Sequence, residues 1–160
     1  MLNSNVITSQ DPTLTQSPER IVKNSPAFEV KLIGHRISAG FPSPAADYSE
    51  ESLDLNNYLV HNKPATFMFT VKGDSMINAS IAEGDKVVVD RSLKAKHNDI
   101  VIAVVDSEYT IKRLYKSQGV IELRPENPSY SPIHFNENSE LQIWGVVVGV
   151  VRRYTTKAKK

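Results

Sequence analysis

Short apolar runs, separated by turn residues, make up most of the chain after Pro64. They are rich in Val, Ile, Phe and Thr and are bounded by Gly, Asp or Asn, a composition typical of β-strands. The predicted strands cover residues 67–72, 86–91, 100–105, 108–115, 120–123, 133–135 and 141–151. Because little helix separates them, they predict a mainly β fold, a compact antiparallel β domain.

The chain before Pro64 has a different pattern. Residues 1–27 are polar, contain three prolines and are predicted to be disordered. Phe28, Val30 and Leu32 alternate with charged residues, which indicates a short strand. Asp54 is a suitable amino-terminal cap for a short helix whose apolar residues fall on one face.

Composition excludes several classes of protein. The chain has 19 Lys and Arg residues and 18 Asp and Glu residues, which gives a net charge of +1. This near-neutral charge argues against strong non-specific binding to DNA or acidic lipid. The chain has no cysteine, so disulfides and thiol chemistry are excluded. The apolar run 146–151 is far short of the ~20 residues that span a bilayer, and the first thirty residues lack a signal-peptide pattern. We therefore expect a cytoplasmic protein.

The charges are unevenly distributed. Residues 40–151 carry ten basic and fifteen acidic side chains, a net charge of −5. Residues 152–160 carry five basic and no acidic side chains. Such a run is typical of a solvated, frayed terminus.

The usual catalytic and cofactor motifs are missing from the sequence. It contains no phosphate-binding glycine loop, dinucleotide motif or Gly-x-Ser-x-Gly elbow. The histidines do not have metal-ligand spacing; they are His35, His61, His97 and His134. We therefore expect neither a metal nor an organic cofactor.

Ser75 and Lys112 are the remaining candidates for chemistry. Ser75 follows a predicted strand, where a hydroxyl can lie beside backbone N–H groups, although Gly-Asp-Ser is also ordinary turn sequence. Lys112 shares one face of its predicted strand with Thr110 and Leu114. If that face is inward, burial lowers the pKa of the lysine and the neutral amine can act as a general base. If the face is outward, Lys112 is a surface residue.

Several motifs, in unbroken order, resemble the LexA/UmuD family of self-cleaving Ser-Lys peptidases, in particular its UmuD and MucA mutagenesis proteins. These motifs are Gly73-Asp74-Ser75-Met76, Glu83-Gly84-Asp85, Val87-Val88-Val89-Asp90, Asp99-Ile100-Val101, Thr110-Ile111-Lys112-Arg113-Leu114 and Trp144-Gly145-Val146-Val147. Residues 36–45 resemble the segment that these proteins cleave. The resemblance covers residues 36 to 151.

The resemblance implies a role for each matched residue. Ser75 would be the nucleophile, Lys112 the general base, and the backbone N–H groups of Asp74 and Ser75 the oxyanion hole. The scissile bond would be Ala39–Gly40. The chain would then consist of a flexible arm (1–39) removed by self-cleavage, a β-rich peptidase and dimerisation domain (40–151) and the basic tail (152–160).

The resemblance also implies partners. A RecA filament on single-stranded DNA would stimulate the cut. The cleaved homodimer would then serve as accessory subunit of an error-prone, UmuC-like Y-family DNA polymerase in SOS translesion synthesis. We expect neither membrane association nor direct sequence-specific DNA binding. The run 146–151 is too apolar for an exposed edge and is the predicted dimer face.

Three other interpretations are compatible with a serine and a lysine in this pattern. A LexA-like or phage-type repressor uses the same dyad but needs a folded helix-turn-helix, which we do not expect from residues 1–39. A signal peptidase uses a similar dyad but needs a membrane anchor. A β-rich docking module would leave Ser75 and Lys112 without a chemical role.

Overall fold

The apolar runs of the sequence form the strands of an antiparallel sheet. A computed structural model describes residues 19–20, 29–33, 39–40, 50–135 and 141–155. Its strands are β1 (Glu19–Arg20), β2 (Glu29–Ile33), β3 (Glu50–Asp54), β4 (Thr66–Thr70), β5 (Lys86–Asp90), β6 (Ile100–Val105), β7 (Glu108–Ser117), β8 (Val120–Arg124), β9 (Ile133–His134) and β10 (Gln142–Val151). The helix α1 (Leu55–Leu59) follows β3, and 3₁₀ turns occur at Lys63–Ala65 and Ile77–Ala79.

Within these residues the main sheet has the order β1-β4-β5-β10-β6-β7-β8-β9, and every neighbouring pair is antiparallel. The predicted mainly β, antiparallel fold is confirmed. Strands β2 and β3 form a separate two-stranded sheet. No helix in the described part of the chain is long and apolar enough to cross a membrane.

Strands β6 and β7 are buried on both faces. Val101 and Ala103 of β6 pack in one apolar cluster with Leu114 of β7, whereas Ile102 packs with Ile111 in a second cluster. Strands buried on both sides appear in the sequence as continuous apolar runs, as β6 does. The polar residues Thr110 and Lys112, in the middle of β7, are buried as well.

The apolar strand β10 lies in the centre of the sheet, between β5 and β6. We expected its carboxyl-terminal half to be covered by a second subunit, but sheet neighbours already account for much of its apolar character. Val146 is buried, while Val148 and Val150 are each 39% exposed. A Cβ at Gly149 would lie 3.0 Å from Leu59 of α1, so the helix covers part of this strand. The homodimer stays a prediction.

Two short strands were not predicted. Glu19–Arg20 lies inside the stretch expected to be disordered, yet it pairs with Phe67 and Met68 at the edge of β4. An exposed edge offers unpaired backbone groups to any extended segment, whatever its side chains. Glu50–Asp54 is largely polar and carries no strand pattern, yet it pairs with β2. The predicted cap is confirmed, because the carboxylate of Asp54 accepts the Asn56 N–H at 2.9 Å.

An ion pair connects the end of β10 to the turn that precedes β5. Arg152 donates to both carboxylate oxygens of Asp85 at 2.6 Å, and to the Ser80 carbonyl at 3.0 Å. The Asp85 carboxylate, whose side chain is 1% exposed, also accepts the Ala82 N–H. Hydrogen bonding from Arg152, followed by that from Ala82, holds the pKa of Asp85 below its ordinary value.

We predict that Asp85→Asn lowers the free energy of unfolding by about 1–3 kcal/mol at neutral pH. A depressed carboxyl pKa stabilises the fold above the unfolded-state pKa, and this contribution is lost as the pH falls through the folded-state pKa. The parent protein should therefore lose stability on acidification below about pH 4, and the variant should lose less. Urea unfolding at several pH values measures both effects. Asp106→Asn, in an exposed turn, is the control; an equal loss in both variants would contradict the role of Asp85.

Candidate active site

Ser75 lies in a tight loop that follows β4. The loop turns at Gly73, whose φ of 84° favours glycine. Met76, 1% exposed, packs in the core cluster with Phe69 and anchors the loop beside Ser75. The serine side chain is fully buried. The loop is therefore fixed on both sides of the hydroxyl.

Hydrogen bonds join this loop to the segment that follows β8. The Ser75 carbonyl accepts the Glu126 N–H, and the Glu126 carbonyl accepts the Asn78 N–H, both at 2.8 Å. Strand β8 ends at Arg124, because Pro125 has no N–H with which to continue the ladder of backbone hydrogen bonds. The segment then turns away from β7 and reaches the serine loop.

The Asp74 side chain adds a second attachment between these segments. Tyr130 donates its hydroxyl to the Asp74 carboxylate at 2.6 Å. Asn127 donates its side-chain N–H to the Asp74 carbonyl at 3.1 Å, and Ile77 donates its backbone N–H to the same oxygen. The peptide between Asp74 and Ser75 is thus held in one orientation.

Lys112 extends from the middle of β7 toward the serine. Its side chain is 2% exposed, and its Nζ donates to Ser75 Oγ at 3.1 Å. The same Nζ donates to Thr110 Oγ1 at 2.9 Å and to the Ile111 carbonyl at 3.1 Å. Three acceptors around a buried amine compensate for its lost hydration. The contact with Ser75 is thus one of several that orient the amine.

Arg113, the next residue along β7, reaches the serine loop indirectly. Its Nε donates to the Glu126 carboxylate, and its Nη1 donates to the Asn98 carbonyl at 2.7 Å. Because Glu126 also binds the Ser75 carbonyl through its backbone, Arg113 links the lysine strand to the serine loop. Lys112 and Arg113 therefore hold the loop from two directions.

A serine hydroxyl within hydrogen-bond reach of an amine is the arrangement of an activated nucleophile and its base. A family model described as Peptidase S24-like matches residues 31–148. The chain belongs to this family.

The chain is also similar to individual curated proteins, and three of them show the range. It is 46% identical to the protein SamA of Salmonella typhimurium (strain LT2) over 122 residues, covering 76% of this chain and 84% of SamA. It is 44% identical to the protein MucA of Escherichia coli over 114 residues, 70% of this chain and 77% of MucA. A LexA repressor of Acetivibrio thermocellus is 38% identical over 148 residues, 92% of this chain and 68% of the repressor.

The fold brings together Ser75 and Lys112, which are 37 positions apart in the sequence. Ala39 and Gly40 lie in an exposed bend. Among the described histidines, His97 accepts the Lys116 N–H and His134 contacts Glu122, so their hydrogen bonds are made away from the dyad. His35 and most of the segment 36–45 lie outside the described residues.

Two residues of the S24-like site escaped sequence reasoning. Thr110 was assigned to the face of Lys112, but its hydroxyl contact with Nζ was not predicted. Glu126 lies in a polar stretch, and its backbone joins it to the serine loop. A backbone hydrogen bond can be made by almost any residue type, so the sequence does not indicate this contact. The alternation along β7 could have suggested Thr110 but not Glu126.

We predict that Arg113→Met increases hydrogen exchange at the Glu126 amide by up to about tenfold, because a partly buried ion pair contributes on the order of 1 kcal/mol. The side chains of Arg113 and Glu126 are 31% and 28% exposed. Amide exchange followed by NMR measures the effect. Arg124→Met removes a comparable ion pair, with Glu122, and serves as the control. If both variants accelerate exchange at Glu126 equally, Arg113 has no specific link to the loop.

Proposed function

We propose that this chain is a self-cleaving serine peptidase of the UmuD and MucA type, which cuts its own Ala39–Gly40 bond. The observation that carries the proposal is the 3.1 Å contact between Lys112 Nζ and Ser75 Oγ, with both side chains buried. Membership of the S24-like family supports it. The roles of Ser75, Lys112 and the bond are proposals that rest on this geometry and on the resemblance.

In the proposed first step, Ser75 Oγ attacks the carbonyl carbon of Ala39 while neutral Lys112 accepts the hydroxyl proton. The tetrahedral intermediate collapses as the bond to the Gly40 nitrogen breaks. The Lys112 ammonium returns the proton to that nitrogen, and Ala39 remains as an ester on Ser75. Water, deprotonated by Lys112, then hydrolyses the ester and restores the serine.

The environment of the lysine favours this direction of proton transfer. Burial disfavours the charged form and so lowers the pKa of an amine. The Thr110 hydroxyl and the Ile111 carbonyl each accept one N–H from Nζ. A neutral amine that donates these two hydrogen bonds can direct its lone pair toward Ser75 Oγ, which lies 3.1 Å from Nζ.

The backbone N–H of Ser75 is suited to an oxyanion hole. The Asp74 carbonyl, in the same peptide unit, is held by the Ile77 and Asn127 donors. In a trans peptide the C=O and N–H point in opposite directions, so the Ser75 N–H points away from these donors. Two N–H groups, of Asp74 and Ser75, would stabilise the charge that develops on the Ala39 oxygen.

The proposed substrate is tethered on both sides of the bond. Residue Ile33, at the end of β2, pairs with Glu50, at the start of β3, and Ala39–Gly40 lies between them in the sequence. The ends of the intervening segment are therefore held together. A tethered bond has a high effective concentration at the serine, which compensates for modest intrinsic catalysis. Since Ala39 and Gly40 are exposed and Ser75 is buried, the bond must move into the site to react.

We further propose the partners implied by the resemblance. A RecA filament on single-stranded DNA would stimulate the cut, and the shortened homodimer would join a UmuC-like Y-family polymerase. Intact-mass measurement after incubation with activated filament tests the first claim. Co-purification of the cleaved chain with the polymerase subunit tests the second. The cytoplasmic location stays a prediction.

A self-cleaving transcriptional repressor is the second candidate, because the LexA repressor aligns with 92% of this chain. A repressor of that kind binds its operator through helices. The higher identity to SamA and MucA, 46% and 44% against 38% for the repressor, favours the mutagenesis type. Sequence-specific retention of duplex DNA by the intact chain, lost after cleavage, would favour the repressor.

We predict that Ser75→Ala abolishes self-cleavage and that Lys112→Met slows it by about a thousandfold, as expected for loss of a general base. Met retains the buried aliphatic chain. The matched control is Lys116→Met, which removes an exposed lysine from the same strand. Gel analysis and amino-terminal sequencing of the fragment that begins at Gly40 measure the rate. Cleavage that persists in Ser75→Ala would exclude the proposed nucleophile, and a histidine variant that stops cleavage without unfolding would favour a triad.

The pH profile of spontaneous cleavage tests the identity of the base. The pKa of lysine in water is ~10.4, and burial lowers it. The rate should rise about tenfold per pH unit and level off where Lys112 becomes mostly neutral, at or below the aqueous value. A histidine base, with a pKa near ~6.5, would give a flat rate above about pH 7.5. The purified chain without filament is the sample, and a flat profile would rule out Lys112 as the base.

A further inference from the structure

A groove of about 380 Å³ lies beside the loop that follows β5. Its floor is apolar: Leu114 of β7, Ile121 of β8 and Ile143 of β10 line it from three strands. Leu93, which is 48% exposed, stands at its side. The floor belongs to the apolar cluster on one face of the sheet. A ligand in this groove would bury aliphatic surface.

The rim of the groove is basic. Arg91, Lys94 and Lys116 line it and are exposed, and no carboxylate occurs among its described lining residues. In the described part of the chain, none of the three takes part in an ion pair. This concentration of positive charge stands out, because residues 40–151 carry a net charge of −5.

The acidic residues that flank the basic loop are already engaged. The Asp90 carboxylate accepts the Ser92 backbone N–H at 2.7 Å and the Ser92 hydroxyl at 2.6 Å. The Asp99 carboxylate accepts the Lys96 N–H at 2.7 Å. Both carboxylates thus accept hydrogen bonds within the loop, and neither forms an ion pair with Arg91, Lys94 or Lys116. The three cations are therefore available to an anionic ligand.

The position of Arg91 argues against a nucleic acid as that ligand. Its guanidinium carbon lies 4.5 Å from the centre of the Trp144 ring and 5.9 Å from that of Phe67. Proteins that bind single-stranded nucleic acid use solvent-accessible faces of aromatic side chains, on which the bases stack. Here the cation occupies the tryptophan face, and the groove floor is aliphatic.

We propose that this groove binds an acidic, aliphatic linear segment of a partner protein. Aliphatic side chains of the segment contact the floor, and its carboxylates pair with Arg91, Lys94 and Lys116. Charge complementarity of this kind accelerates association and selects among partners. The proposal does not rest on the proposed peptidase function, and an inactive dyad would leave it intact.

The probe for a first test is a fluorescent peptide in which aspartate and leucine alternate, titrated into the full chain and followed by anisotropy. We expect binding that weakens as salt rises from about 50 to 500 mM. The Lys94→Glu/Lys116→Glu variant should lose affinity by about tenfold or more. Leu93→Ser should lose severalfold without changing the salt dependence. Arg153→Glu, an exposed charge reversal beyond the far end of β10, should bind like the parent.

Other ligands define the outcomes that would overturn the proposal. The proposal would be overturned if the peptide did not bind, or if neither the lysine variant nor the Leu93 variant weakened its binding. Tighter binding of an oligothymidine strand, weakened by the lysine variant alone, would assign the groove to nucleic acid. Glu137 and Glu140 precede the groove residue Leu141 in the sequence. If the E137Q/E140Q variant bound the peptide tenfold more tightly, the acidic segment before Leu141 would be competing with the peptide for the groove. The chain's own segment would then be the occupant, and this result would also overturn the proposal.

Discussion

The burial of one lysine is the constraint on which the rest of this structure depends. An amine removed from water loses several kcal/mol of hydration unless acceptors replace it. The fold supplies three acceptors within 3.1 Å of Lys112 Nζ, one of them the Ser75 hydroxyl. The lysine therefore needs the serine loop as part of its own solvation, and the proposed reactivity depends on the same contact.

That contact requires segments distant in the sequence to meet at one place. Strand β7 provides Lys112, the loop after β4 provides Ser75, and the segment after β8 provides Glu126, whose backbone holds the serine carbonyl. Arg113 joins the segment after β8 to β7 through its ion pair with Glu126. The Arg152–Asp85 ion pair fixes the turn that leads from the serine loop into β5. The serine carbonyl is held by a backbone donor, whereas the Arg113–Glu126 and Arg152–Asp85 attachments are made by side chains.

This division explains what the sequence could and could not predict. The alternation along β7 correctly placed Thr110, Lys112 and Leu114 on one face, because strand geometry is local. The inward direction of that face, and the meeting of Ser75 with Lys112, depend on non-local pairing; only the family resemblance suggested them. Glu50–Asp54 was missed because its pairing with β2 uses backbone groups and buries little apolar surface. The short pairing of Glu19–Arg20 with β4 was missed for the same reason.

Burial also bears on which bonds the proposed site would cut. The fully buried Ser75 hydroxyl is closed to peptides in bulk solvent, which argues against a general protease and in favour of the proposed self-cleavage. A segment whose two ends are already paired, as Ile33 and Glu50 are, has lost part of its chain entropy before the proposed entry into the site. Such a segment can displace the contacts that cover the serine at a lower free-energy cost than a free peptide. Under the proposed function, selectivity for the chain's own bond follows from the tether and from the burial of Ser75 and Lys112 together, with no need for a deep specificity pocket.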